Sequence, residues 1–289
     1  MGIFELSRLK LWGVAAILML PAAVCANIEP SAKKIRVASL NLCTDTLLLQ
    51  YADPQQIASV TWLSADPNLS PFAAYTKQFH RNRGRAEDIL KLSVDLVLTG
   101  PSTSSTTRAL LKRLNVKTLH LEDATSIDAL STNVRRLTQA IGQSSRGQRS
   151  LQQMSTRLSQ LSSESAKTPK SGWPHAAFLQ PNGLTVGPSS LSDELLAYAG
   201  YRNSATLMGL KTYQRFPLES LLRAKPNVLV VPTQQLNNPA LAQELLRHPA
   251  LRNVALQHEI APSELMCGTT RIANVALALA TTRQTLKNL

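Results

Sequence analysis

The stretch Glu87-Asp-Ile-Leu-Lys-Leu-Ser-Val-Asp-Leu-Val-Leu98 returns without a gap as Glu219-Ser-Leu-Leu-Arg-Ala-Lys-Pro-Asn-Val-Leu-Val230. Each copy opens on a glutamate, passes two apolar residues and a basic one, turns at Asp95 or Asn227, and enters a β-rich run. That run is apolar at successive positions, not alternate ones, which is what a parallel strand covered on both faces requires. Each copy therefore reads as one turn-rich helix feeding a buried strand. One such unit in each half predicts two similar α/β lobes, and two lobes make a cleft in which a ligand sits.

Outward from the first copy, Lys34–Leu40 and Ile57–Trp62 read as strands, with a helix between them capped by Thr44 or Asp45 and ended by Asp53-Pro54. Residues 63–86 are polar and irregular, a loop with a short helix, and loops of that length in compact domains usually carry function. After the repeat come a helix over Thr106–Leu114, a strand over Val116–Leu121 and a helix starting near Ser126. Apolar residues at helical spacing (Ile127, Leu130, Val134, Leu137, Ile141, then Leu151, Met154, Leu158, Leu161) make residues 126–163 a helical spine between the halves. The second half repeats the alternation: strand Ala176–Leu179, helix Asp193–Ala199, strand Val228–Val231, helix Ala240–Leu246, a strand near Val254–Ile260 and a helix over Thr270–Lys287. Strands alternating with helices define an α/β protein. Its parts are a leader over 1–26, a lobe over 34–125, the spine over 126–163 and a lobe over 173–289.

The leader is read from Arg8 and Lys10, the apolar run Leu11–Leu20, the breaker Pro21, and Val24-Cys25-Ala26 as a cleavage site. The run is short for a membrane span. A lipid anchor on Cys25 asks for a small preceding residue, and Val24 is branched. An exported, periplasmic protein is expected. Of 289 residues, 31 are basic and 18 acidic, a net charge of +13; without Arg8, Lys10 and Glu5 the balance is 29 against 17. Export and the scatter of the basic residues argue against a nucleic-acid partner and for a solvated surface or an anionic ligand. Beyond the leader only Cys43 and Cys267 remain.

The opening RVASLNLCTD, the unit GRAEDILKLSVDLVLTG, its echo FPLESLLRAKPNVLVV and the closing CGTTRIANVALAL resemble the substrate-binding proteins of ABC importers for iron-siderophores and vitamin B12. The resemblance spans essentially the whole chain after the leader and is most specific in the paired glutamate units. It implies two Rossmann-like lobes joined by a long, rather rigid inter-lobe helix, with the ligand held in the cleft between them. It also implies a monomer that docks one exposed glutamate from each lobe onto a permease in the inner membrane; the matching positions are Glu87 and Glu219. The residues supply their own argument, since equivalent carboxylates on equivalent lobes form a matched pair. A glutamate in a first helical turn is also favoured by the helix dipole alone.

In open α/β sheets ligands bind beyond the carboxyl ends of the strands. That rule selects Asn41–Thr44 with Leu42 and Cys43, the basic run Arg81–Arg85, Gln180–Gly183 with Gln180 and Asn182, and Glu264–Gly268 with Met266 and Cys267. Trp62 and Tyr213 are candidates for flat contacts. Arg81, Arg83 and Arg85 present three guanidiniums suited to carboxylate, catecholate or phosphate oxygens. With an aromatic content of only 4%, they tilt the reading toward a ferric siderophore and away from cobalamin or another corrinoid. For Cys43 and Cys267 three readings compete: a bridge between the lobes, two acidified thiols at helix N-termini able to hold a soft metal, or inert small residues. Two thiols at these places depart from the usual pattern of the family.

An enzyme is the main alternative class, but the G-x-S-x-G, phosphate-loop and H-E-x-x-H motifs are missing, and His258-Glu259 lacks the second histidine. Histidines 80, 120, 175, 248 and 258 are too dispersed for a metal site. No cofactor is expected. A further alternative is an exported two-lobed module for interaction or sensing that holds no small ligand.

Overall fold

The run from Val37 to Ser39 is wholly buried, and so is each strand that pairs with it. In the computed structural model the described residues are 1–2, 34–233, 244–251 and 256–286; the proposed leader, past its first two residues, lies outside them. The first lobe runs β1 (Val37–Ser39), α1 (Leu42–Tyr51), β2 (Ile57–Thr61), β3 (His80–Asn82), α2 (Ala86–Leu90), β4 (Leu96–Thr99), α3 (Ser105–Arg113) and β5 (Thr118–His120). All five strands are parallel in the order β3-β2-β1-β4-β5. Two helices follow, α4 (Ile127–Ala140) and α5 (Ser144–Ala166).

The second lobe runs β6 (His175–Phe178), β7 (Leu184–Val186), α6 (Leu191–Tyr198), β8 (Arg202–Asn203), α7 (Ser204–Leu207), β9 (Tyr213–Arg215), α8 (Leu218–Ala224), β10 (Val228–Pro232), β11 (Leu256–Ile260), α9 (Pro262–Met266) and α10 (Ile272–Leu286). Its main sheet is parallel in the order β11-β10-β6-β8, and β7 and β9 form a separate antiparallel pair. The two repeat copies occupy equivalent places. The first gives α2 and β4, and β4 lies beside β1; the second gives α8 and β10, and β10 lies beside β6.

The period-two geometry of a strand explains the doubly apolar runs. Leu96 and Leu98 of β4 face a central core, while Val97 faces Ile89 and Leu111 of α2 and α3. Val228 and Val230 of β10 enter the same central core, while Leu229 and Val231 face Leu221 of α8 and Phe216. That central core also takes the inner faces of α1, α4, α5, α6 and α10, so both sheets pack on one shared helical layer. Residues from Lys34 onward accordingly form one compact unit.

Several expectations meet a different outcome. The cap of α1 is Asn41, not Thr44 or Asp45: its side chain accepts from the N–H groups of Cys43 and Thr44, which places Cys43 in the first helical turn. The helical segment after Ser126 is two helices, because Gly142 takes φ +71° and turns the chain between α4 and α5. The loop over 63–86 contains β3, and most of the helix proposed at Ala240–Leu246 lies outside the described residues.

Candidate functional site

In each sheet the order reverses beside the first strand, between β1 and β4 and between β6 and β10. The crevice rule places a ligand at the carboxyl ends of these strands. The two crevice edges meet, because Cys43 and Cys267 form a disulfide across 224 residues, with their Cα atoms 5.1 Å apart. Of the three readings of these cysteines, the bridge is the one the structure adopts. The thiol-metal reading falls with it, since neither sulfur is free to ionise.

Two cavities lie near the bridge, sharing Leu265 and Met266 in their walls. The first, of about 220 Å³, is walled by Asn41 and Cys43 from the first lobe, Glu122 and Asp123 after β5, Ser192 of α6, and Met266 and Cys267. The second, of about 290 Å³, is a recess in the second lobe lined by Phe178, Gln180, Tyr213, Pro232, Ile260 and Met266. Met266 borders both and is 46% exposed. Tyr213, 62% exposed, donates its hydroxyl to Gln180 Oε1 at 2.9 Å, which fixes the ring at the rim of the recess. Trp62 follows β2 directly and is 57% exposed on the opposite lobe.

The local sequence explains how these groups are held. Thr61, the last residue of β2 before Trp62, donates through its N–H and its hydroxyl to Oδ2 of the fully buried Asp45, while Oδ1 of Asp45 has no hydrogen-bond partner among the described residues. Burial pushes this carboxyl up to about 7, and the nearby Ser39 hydroxyl and the Thr61 bonds offset only part of that rise. Asn82 donates to Ser39 O at 2.9 Å and Ser59 Oγ at 2.7 Å and accepts from Gly84 N–H, so it ties the turn bearing the arginines to the sheet edge. Arg81, Arg83 and Arg85 are all exposed there and line neither cavity.

A family model described as periplasmic binding protein matches residues 37–257. The chain belongs to the periplasmic binding protein family. No curated protein sequence matches it significantly. Among solved structures, this periplasmic binding protein is similar to the apo heme-binding protein of Roseiflexus sp. RS-1, at 22% identity and a TM-score of 0.69, covering 87% of this chain and 100% of that one. The heme-binding protein of Vibrio cholerae gives 16% identity, a TM-score of 0.68 and coverage of 88% and 99%. The vitamin B12-binding protein of the same organism gives 17%, 0.64, and 88% and 98%. These likenesses support the two-lobed α/β architecture already read from the strands.

Of the residues selected from sequence, the periplasmic binding protein brings Cys43, Cys267 and Met266 together at the lobe junction, and sets Gln180 and Tyr213 with Met266 around the second-lobe recess. Leu42, half-buried, and Asn182, exposed in a left-handed turn with φ +61°, line neither cavity. Sequence reading missed Pro232 and Ile260. They are the final residues of β10 and β11, so the crevice rule would have found them had it been carried to every strand end.

Proposed function

We propose that this chain is the solute-capturing component of an ABC importer, that it holds a metal chelate at the junction of its two lobes, and that it delivers the chelate to a membrane permease. The observation that carries this reading is the crevice itself: two switch-point edges meet at the Cys43–Cys267 bridge, beside a second-lobe recess that is apolar at its base and rimmed by Tyr213, Gln180 and Met266. Such a lining suits a flat chelate with an apolar face, a heme or a corrinoid, as the names of several structural neighbours suggest for those proteins. A ferric siderophore is the second reading. Arg81, Arg83 and Arg85 favour it, but they stand at the edge of β3, outside both cavities, and this weakens their pull toward an anionic ligand.

Delivery rests on Glu87 and Glu219. Each is the second residue of its helix, each is exposed, and among the described residues neither carboxylate makes a hydrogen bond or ion pair. The decisive experiment titrates the exported protein with hemin, cyanocobalamin and a ferric catecholate, following tryptophan fluorescence and visible absorbance. Saturable quenching by one of them, reduced in Trp62→Phe, is the expected result. Silence toward all three would overturn the chelate reading.

A further inference from the structure

The segment from Glu264 to Ile272 belongs to the second lobe by sequence, yet it is fastened to the first lobe and to α5. Cys267 is bonded to Cys43 at the head of α1. Three residues on, Thr270 Oγ1 lies 2.8 Å from Gln50 Nε2, 3.0 Å from the Tyr51 hydroxyl and 2.7 Å from Ser150 Oγ. Glu264 pairs with Arg271, whose guanidinium sits 5.9 Å from the ring centre of Phe72 in the first lobe. Between them, Gly268 passes so close to Ala124 that a Cβ there would stand 2.5 Å from the alanine's own. The bridge therefore sits inside a strap laid across the junction.

We infer that the Cys43–Cys267 disulfide is a covalent clamp on the crevice. It holds the two lobes at one separation, so that ligand is taken into a cleft already formed, and its reduction releases them. The polar contacts of the strap are individually weak and can exchange with water during opening. The sulfur–sulfur bond cannot, and it joins the carboxyl edges of the two sheets where opening would separate them most. Cys43 and Cys267 are the only cysteines after Cys25, so a thiol reductant acts on this one bond. The competing geometry has the strap moving with the first lobe while the second swings about the Ile260–Pro262 connection; there, reduction would leave opening unchanged.

The test needs no ligand, so it stands whether or not the chelate reading does. Protein purified from the periplasm carries spin labels, attached by cycloaddition to unnatural residues and not through thiols, at exposed Lys77 and Lys211, one in each lobe. Inter-label distances are measured with the disulfide intact, after reduction by a phosphine, and in Cys43→Ser/Cys267→Ser, with circular dichroism confirming the fold. One narrow distribution when oxidised, broadening to longer distances by several ångströms in either reduced or serine form, is the expected result. Identical distributions in all three would overturn the clamp. So would loss of the folded spectrum on reduction, because the bond would then be a staple of the fold and not a brake on opening.

Discussion

Asp95 and Asn227 show what the repeated sequence is for. Asp95 Oδ2 accepts the Arg36 N–H at 2.7 Å, and Asn227 Oδ1 accepts the His175 N–H at 2.8 Å; each latches the start of its strand to the start of the lobe's first strand. Only an oxygen acceptor is needed, so Asp95→Asn should leave stability nearly unchanged while Asp95→Ala should cost about 1 kcal/mol in chemical denaturation. Equal loss in both variants would show that charge, not acceptance, is what matters. Asp45 supplies a different test. Its folded pKa, near 7, lies above the unfolded value of about 4. The native state therefore holds the proton more tightly, and the cost to stability is absent below pH 4, grows between pH 4 and 7, and is complete above 7. The stability of Asp45→Asn relative to the native chain should accordingly rise between pH 5 and pH 8 in thermal melts. A difference that stays constant over that range would show that Asp45 does not titrate there.

Among elements, the contact between α4 and α5 rests on a missing side chain. A Cβ at Gly147 would stand 2.4 Å from the Thr138 hydroxyl, which is itself bonded to Val134 O at 2.8 Å. Gly147→Ala should therefore push the helices apart and cost about 1–3 kcal/mol, read from urea denaturation; a neutral result would mean that Thr138 rotates freely. The strands of the repeats were legible because Leu96–Leu98 and Val228–Val231 are apolar on both faces over several residues. β3, β7 and β9 were not: each has three residues, and His80–Asn82 and Tyr213–Arg215 carry only one apolar ring, that of Tyr213, so no periodicity marks them. Their pairing comes from neighbours, β3 against β2 and β9 against β7. The break between α4 and α5 was marked by Gly142, but an isolated glycine in a helical pattern is also tolerated, so the pattern alone did not decide between one helix and two.

At the scale of the whole molecule, two sheets share one helical core, and their carboxyl edges meet at a bridge. If Glu87 and Glu219 are the docking pair, Glu87→Ala/Glu219→Ala should abolish uptake in proteoliposomes bearing the cognate permease while leaving ligand affinity unchanged. Uptake at the native rate would count against docking through these carboxylates. The sequence by itself determined the two α/β lobes and their helical connection, because burial on both faces and helical spacing are written within ten or twenty consecutive residues. Only the tertiary structure decided that Cys43 and Cys267 are bonded, that Met266 borders two cavities, and that the arginine run stands outside them. Those facts depend on strand order and on how one lobe is set against the other. That setting is the sum of many weak contacts between residues hundreds of positions apart, and no local pattern records it.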